Sequence, residues 1–246
     1  MNINVNISPN PETLGARAAA SIAQLLREAV DKNGSARIIL STGASQFETI
    51  DALVKMDLPW NKIEMFHLDE YVGLPEAHIA SFRKYLKERF VSKVDLKAAY
   101  FVNGEGDIAA NIAELTKQLR SAPVDVGVIG IGENGHVAFN DPPADFDTDE
   151  AYKVVNLEER CKKQQVGEGW FATIEDVPVQ AITMTIKQIM ACRHIVTAVP
   201  HSVKANAIYD TVTQPVNPMV PATILKTHPD WKLFIDDASA QKLFKL

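Results

Sequence analysis

The chain has 246 residues, 46% hydrophobic and 23% charged, which is long enough to bury a sizeable core and ordinary for a globular protein. Its formal net charge of −6 lacks the basic footprint that nucleic acid or an anionic membrane selects, so neither is expected as a partner. Two widely separated cysteines (Cys161 and Cys192), no apolar run of membrane-spanning length and a first segment without secretory character predict free thiols in a cytoplasmic protein.

Residues 3–7 alternate apolar and polar and predict a short half-buried strand. Helical periodicity follows over 13–31 and stops at Asn33-Gly34. A buried strand at 36–40 then runs into Ser41-Thr42-Gly43-Ala44-Ser45, which opens a helix over 46–55. Small residues between a strand and a helix N-terminus make a ready anion site, because unpaired backbone N–H groups and the helix dipole both favour phosphate. An ordinary N-cap by Ser45 or Thr42 accounts for the same residues equally well. The Gly-Lys-Ser/Thr ending of a P-loop is missing.

The next apolar strand, 62–68, delivers Asp69 and Glu70 to its carboxyl end. Two acids there are costly unless solvated, paired or functional. In an open α/β sheet that end is the ligand crevice, which makes Asp69 a candidate general base. The plainer reading has one acid capping the loop and the other in water. A helix is predicted over 78–91, with Phe82, Leu86 and Phe90 on one side and Arg83, Lys84 and Lys87 on the other. A loop at 101–106 and an amphipathic helix at 108–120 come next.

The most informative stretch is 124–142. It begins as a continuous β-branched apolar run, fit for a strand buried on both faces. Gly130, Gly132 and Gly135 break the run, and out of the turn come His136 and, five residues later, Asp141 before Pro142. The glycine pattern fails as a dinucleotide fingerprint: no amphipathic helix follows it, and no strand-ending acid lies at the required distance. Beyond it, 143–150 reads as an acidic surface loop or lid, 152–157 as a strand, and 158–166 as a polar, solvated helix. A strand at 181–186, a short helix at 186–191 and a buried strand at 194–200 follow. Ser202-Val203-Lys204 opens another helix, placing Lys204 in a first turn where the dipole disfavours a cation. That favours an anion-binding role over a merely solvated lysine. A short helix at 220–225, a last strand at 231–235 and a terminal helix over 236–246 complete the chain. Strands alternate with helices without repeat or linker, predicting one α/β domain over 1–246 with a largely parallel sheet flanked by helices on both faces.

Leu68-Asp-Glu-Tyr-Val-Gly-Leu-Pro75 and Gly130-Ile-Gly-Glu-Asn-Gly-His-Val-Ala-Phe-Asn-Asp-Pro142 together resemble the glucosamine-6-phosphate deaminase/isomerase family. The likeness extends to Ser41-Thr-Gly, Ala181-Ile-Thr-Met-Thr-Ile and Lys204-Ala. It implies a Rossmann-like sheet and conversion of glucosamine 6-phosphate and water to fructose 6-phosphate and ammonia, with no cofactor and no metal. It further implies that His136 moves the proton that opens the sugar ring and that Asp141 orients it. Asp69 would be the base that shifts a proton from C2 to C1, and Asn134 would orient the open chain. The phosphate is expected against Ser41, Thr42, Gly43 and Ala44, with Lys204 as counter-charge. The partner is then a small sugar phosphate, and a monomer or small homo-oligomer is expected.

Three positions depart from the family pattern. Asp141 stands where Glu is usual, one methylene shorter. Gly169, ahead of Trp170-Phe171, stands where deaminases typically carry a phosphate-binding Arg, leaving Arg160, Lys162 and Lys163 as the stand-ins. The loop after Pro142 is acidic where allosterically regulated members are basic, so no such activation is expected. Three rival functions remain open. One is the same chemistry on galactosamine 6-phosphate. Another is 6-phosphogluconolactonase, whose motif continues Ala-Ser-Leu-Phe-Pro after the histidine and which needs no proton shuttle at C2. The last is a sugar-phosphate-binding regulator without catalysis.

Overall fold

The computed structural model describes residues 3–245. The chain opens with β1 (Asn4–Ser8), α1 (Pro11–Asn33), β2 (Ala36–Leu40), α2 (Phe47–Leu53) and β3 (Ile63–His67). A short β4 (Asp69–Tyr71), α3 (Phe82–Arg89), β5 (Ala98–Tyr100), α4 (Ile108–Arg120) and β6 (Val126–Ile129) follow. Then come β7 (Tyr152–Asn156), α5 (Glu159–Gly167), β8 (Gln180–Met184), α6 (Ile186–Met190), β9 (His194–Val199), α7 (Ala205–Thr213), β10 (Trp231–Asp236) and α8 (Asp237–Ala240).

Seven strands make one sheet in the order β1-β10-β9-β6-β2-β3-β5, every neighbouring pair parallel. Side chains alternate across it and bury both faces. Ile38, Leu40, Met65, Val126 and Val196 pack beneath α1, α2 and α3. Ile39, Phe66, Ile129, Ile195 and Leu233 pack against α4, α6 and α7 on the other side. The predicted α/β architecture with helices on both faces is therefore what the chain adopts.

The second sheet was not legible in the sequence. Asp69 and Glu70 do not end in a loop; with Tyr71 they form the antiparallel edge of a three-stranded sheet, β4-β8-β7. β5 also escaped prediction, being three residues at the edge of the main sheet. The helix expected over 78–91 starts only at Phe82, because the Ser81 hydroxyl caps it by accepting from the Lys84 amide at 3.3 Å. The terminal helix stops after Ala240, a 3-10 turn at Leu243–Lys245 replaces its second half, and Leu246 lies outside the described residues.

One buried group inside this frame has a measurable pH signature. His67, at the end of β3, is fully buried with both ring nitrogens unpartnered, and burial pushes its pKa down to about 3. An unfolded chain takes up that proton near 6.5 and the folded one only near 3. The unfolded state thus binds more protons between those values, and stability falls as pH drops through them. His67→Leu removes the term: the variant should lose about 2 kcal/mol less than the parent between pH 6.5 and 5 in urea titrations. Parallel pH curves for the two proteins would show that His67 does not titrate this way.

Candidate active site

β2 and β6 are neighbours, paired Ile38 to Val126 and Leu40 to Val128, and the sheet grows away from them in opposite directions. Such a switch point leaves a crevice outside the carboxyl ends of the strands. The chain leaves β2 through Ser41 and leaves β6 through Gly130, so both motif loops border one cleft.

On the β2 side, the Ser41 amide is tied to the Val128 carbonyl at 3.0 Å, and Gly43 turns the chain with φ 96°, which only glycine adopts freely. A 3-10 turn at Ala44–Gln46 then leads into α2. The amides of Thr42, Gly43 and Ala44 have no acceptor among the described residues, and the Ser41 hydroxyl is buried without a partner. Lys204 reaches the same cleft from a second 3-10 turn, Ser202–Lys204, at the mouth of β9. That turn is launched by His201 at φ 79°, a strained conformation held by its amide against both carboxylate oxygens of Asp236 at 3.1 and 3.2 Å. Lys204 is 6% exposed, and burial lowers its pKa. Its ammonium has no ion-pair partner among the described residues, only the more distant charges of Glu168 and Glu133. A cradle of free amides, an orphan hydroxyl and an unpaired buried cation is suited to an anion.

The two acids of β4 have opposite fates. Glu70 is wholly buried and accepts from the Ser81 hydroxyl at 2.9 Å, the Phe82 and Arg83 amides at 3.2 and 2.9 Å, and Arg83 Nε at 3.3 Å. It is a structural anchor for the start of α3. Arg83, expected on the solvated face, is buried instead as its counter-charge. Asp69 points into the cleft, 5% exposed, and burial with the neighbouring Glu70 charge raises its pKa to about 8. A desolvated carboxylate of this kind is a stronger base than one in water.

Across the cleft the glycine loop folds back on itself, Gly132 N–H to the His136 carbonyl at 2.9 Å and Gly135 N–H to the Gly132 carbonyl at 3.0 Å. His136 Nδ1 lies 3.0 Å from Asp141 Oδ1, in close contact though outside hydrogen-bond alignment. Aspartate thus reaches the histidine in spite of the missing methylene. Asn134 braces both ends: its Oδ1 accepts from the His136 amide at 3.0 Å and its Nδ2 donates to Asp141 Oδ1 at 3.1 Å. Burial by itself would raise the Asp141 pKa, but the close approach of His136, with Asn134 and the Glu158 amide, outweighs it and holds the carboxyl below its usual range. Ala138, at φ 53°, and Asn140, whose amide donates to the Val137 and Met184 carbonyls at 2.8 Å each, fix the loop from below. Cys161 brings its sulfur within 4.8 Å of a His136 ring nitrogen and an Asp141 oxygen, so a thiophilic metal ion would compete for the same groups.

The imidazole packs over Gly132 so closely that a Cβ there would sit 2.1 Å from His136 Nε2. Gly132→Ala should therefore displace the ring, lowering kcat about a hundredfold, the cost of an ångström-scale misplacement, with little change in melting temperature. Unaltered kcat would mean that the ring position is not critical.

The fourth wall escaped the sequence reading. α5 was expected to be a solvated helix, yet it turns Cys161, Gln164 and Gln165 inward, and Gln164, Gln165 and Glu168 line the cleft. Tyr71 donates to Gln165 Oε1 at 2.8 Å, and the Glu133 amide donates to Gln164 Oε1 at 3.2 Å, which pins the helix over both motifs. Arg160 and Lys163 fall on the outer face, Lys163 paired with Glu159, and neither they nor Lys162 line the cleft. They do not replace the absent arginine.

The family model of glucosamine-6-phosphate isomerases/6-phosphogluconolactonase matches residues 9–233. The chain belongs to this family. Among its relatives are glucosamine-6-phosphate deaminases of Streptococcus pneumoniae, 35% identical over 90% of this chain and 92% of that one, and of Streptococcus uberis, 32% identical over 89% and 92%. A solved monomeric glucosamine-6-phosphate deaminase superposes with a TM-score of 0.89 at 27% identity, covering 97% of this chain and 99% of that one. The 6-phosphogluconolactonase of Shewanella baltica shares the fold, with a TM-score of 0.79 at 18% identity over 96% and 98%. This member places Asp141 beside His136 and Glu168 in the cleft.

Proposed function

We propose that the protein is a glucosamine-6-phosphate deaminase, converting glucosamine 6-phosphate and water to fructose 6-phosphate and ammonia. The observation that carries the reading is the position of Asp69, a desolvated carboxylate in one cleft with His136 and with the anion cradle of Ser41–Ala44 and Lys204. A lactone hydrolase needs no base over a carbon acid. The identities of 32% and 35% to deaminases support the same choice.

In this reading the phosphate sits against the Thr42, Gly43 and Ala44 amides and the Lys204 ammonium, fixing the far end of the sugar. His136, its Nδ1 committed to Asp141, uses Nε2 to carry the proton between the anomeric hydroxyl and the ring oxygen. Asp141 stabilises the imidazolium that forms, and Asn134 keeps both groups in place. Asp69 then takes the C2 proton of the open chain and returns it to C1, after which hydrolysis at C2 releases ammonia. Among the described residues no helix is long and apolar enough to cross a membrane, and the monomeric state of the solved relative supports a monomer here.

The test is ammonia release with fructose 6-phosphate formation, run on glucosamine 6-phosphate, galactosamine 6-phosphate and 6-phosphogluconolactone in parallel. Ammonia from the gluco substrate is expected. Turnover of the lactone alone, or sugar-phosphate binding without any product, would overturn the assignment.

A further inference from the structure

The cleft carries an unusual charge inventory for a phosphate site. Lys204 is the one lysine or arginine among its described lining residues, and two carboxylates, Asp69 and Glu168, line it as well. Glu168 is held rigidly there: Gln164 Nε2 donates to Oε1 at 2.7 Å and Trp170 Nε1 donates to Oε2 at 3.0 Å. Each oxygen has accepted one bond and has a lone pair left, and an ionised carboxylate has only acceptors to offer. Glu168 is also the opposite charge that acts most strongly on Lys204, ahead of Glu133. From α3, Tyr85 donates to the Gly43 carbonyl at 3.0 Å, and its hydroxyl is subject to the charges of Arg89 and Glu168. A phosphate dianion placed beside Lys204 would therefore meet a fixed carboxylate in the same cleft.

We propose that Glu168 makes this cleft selective for the singly protonated form of the substrate's phosphate, accepting a hydrogen bond from its P–OH while Lys204 and the amides of residues 42–44 hold the other oxygens. The proposal rests on the phosphate placement given above. The monoanion brings one charge to one lysine and supplies the donor that Glu168 needs, and a hydrogen bond to an ionised acceptor is among the stronger kinds. The dianion brings two charges and no donor. Since the second phosphate ionisation falls at about pH 6, roughly one molecule in ten has the selected form at pH 7, and each further pH unit should weaken binding about tenfold.

The decisive measurement is the 31P chemical shift of bound glucitol 6-phosphate, a sugar phosphate that can neither ring-open nor isomerise, followed from pH 5.5 to 8.5 with its affinity. The shift reports the phosphate's own protonation, independently of Asp69, His136 or any other protein group. Expected is a bound signal that stays at the monoanion position while the free ligand titrates, with affinity falling about tenfold per unit above pH 7. Glu168→Gln should move the bound signal to the dianion position and flatten the affinity curve. Trp170→Phe, which loosens Glu168 but keeps its charge, should retain the parent's pH dependence. A bound signal that titrates with the free ligand, or the same profile in Glu168→Gln, overturns the proposal. Failure of the parent to bind glucitol 6-phosphate at any pH would overturn the phosphate placement itself.

Discussion

Asp69→Asn is expected to lower kcat for isomerisation by about 10²–10⁴-fold, the range a positioned general base supplies, while glucitol 6-phosphate affinity stays within a few-fold. Asparagine keeps the shape of the β4 side chain but cannot take a proton from carbon. The parent should also show kcat/KM climbing with pH toward about 8, because burial and the Glu70 charge hold Asp69 protonated up to that point in the free enzyme. The same shift has a stability consequence of definite sign. An acid whose folded pKa is raised binds its proton more tightly in the folded chain, so its contribution is complete at low pH and lost as pH rises from 3.8 to about 8. Asp69→Asn escapes that loss and should be the more stable protein at pH 8. The measurements are kcat, ligand affinity by calorimetry and urea midpoints at pH 5 and 8. Equal loss of turnover and affinity would mean that Asp69 is structural.

The second large effect lies behind the cleft. Arg83→Met should destabilise the fold by about 3–5 kcal/mol, the usual result of stripping a buried charge of its partner. Arg83 is 5% exposed and donates to Glu70 at 3.3 Å, to Asn103 at 2.8 Å, to the Leu74 carbonyl at 3.0 Å and to Glu105 at 2.8 Å. Its loss leaves Glu70 wholly buried with only neutral donors. Adding Glu70→Gln to Arg83→Met should recover a large part of the deficit, since glutamine has no charge to compensate. Denaturant unfolding reads both variants, and a single-mutant cost below about 1 kcal/mol would show that Glu70 is neutral in the folded protein.

All of the main sheet but its edge strand β5 could be read from sequence because those strands are short apolar or alternating runs, a local signal. Asp69, His136 and Lys204 were equally accessible, since each follows such a run directly and the resemblance gave each a role. What stayed hidden was set at long range. Arg83 belongs by sequence to a polar helix face; its burial follows from Glu70, which arrives from the strand β4. α5 was read as solvated because its composition is polar, yet Gln164 and Gln165 are turned inward by bonds to Glu133 and Tyr71. Polar residues that line a wet cleft look the same in sequence as polar residues that face bulk water. The reach of Asp141 to His136 was a question of ångströms, which residue spacing cannot answer.

The small antiparallel sheet also bears on the order in which the molecule is made. Asp69 pairs with Thr183, over a hundred residues further along the chain. The Thr183 hydroxyl in turn accepts from the Phe139 amide at 3.1 Å and from Asn140 Nδ2 at 3.3 Å, two groups of the loop that carries His136. One threonine thus joins the segment of Asp69 to the loop of His136. Closing a loop of that length costs entropy before any contact repays it. Catalytic competence should therefore be among the last properties acquired during refolding, later than the burial of the parallel sheet, and a newly made chain stays inert toward its substrate until β8 has emerged and docked.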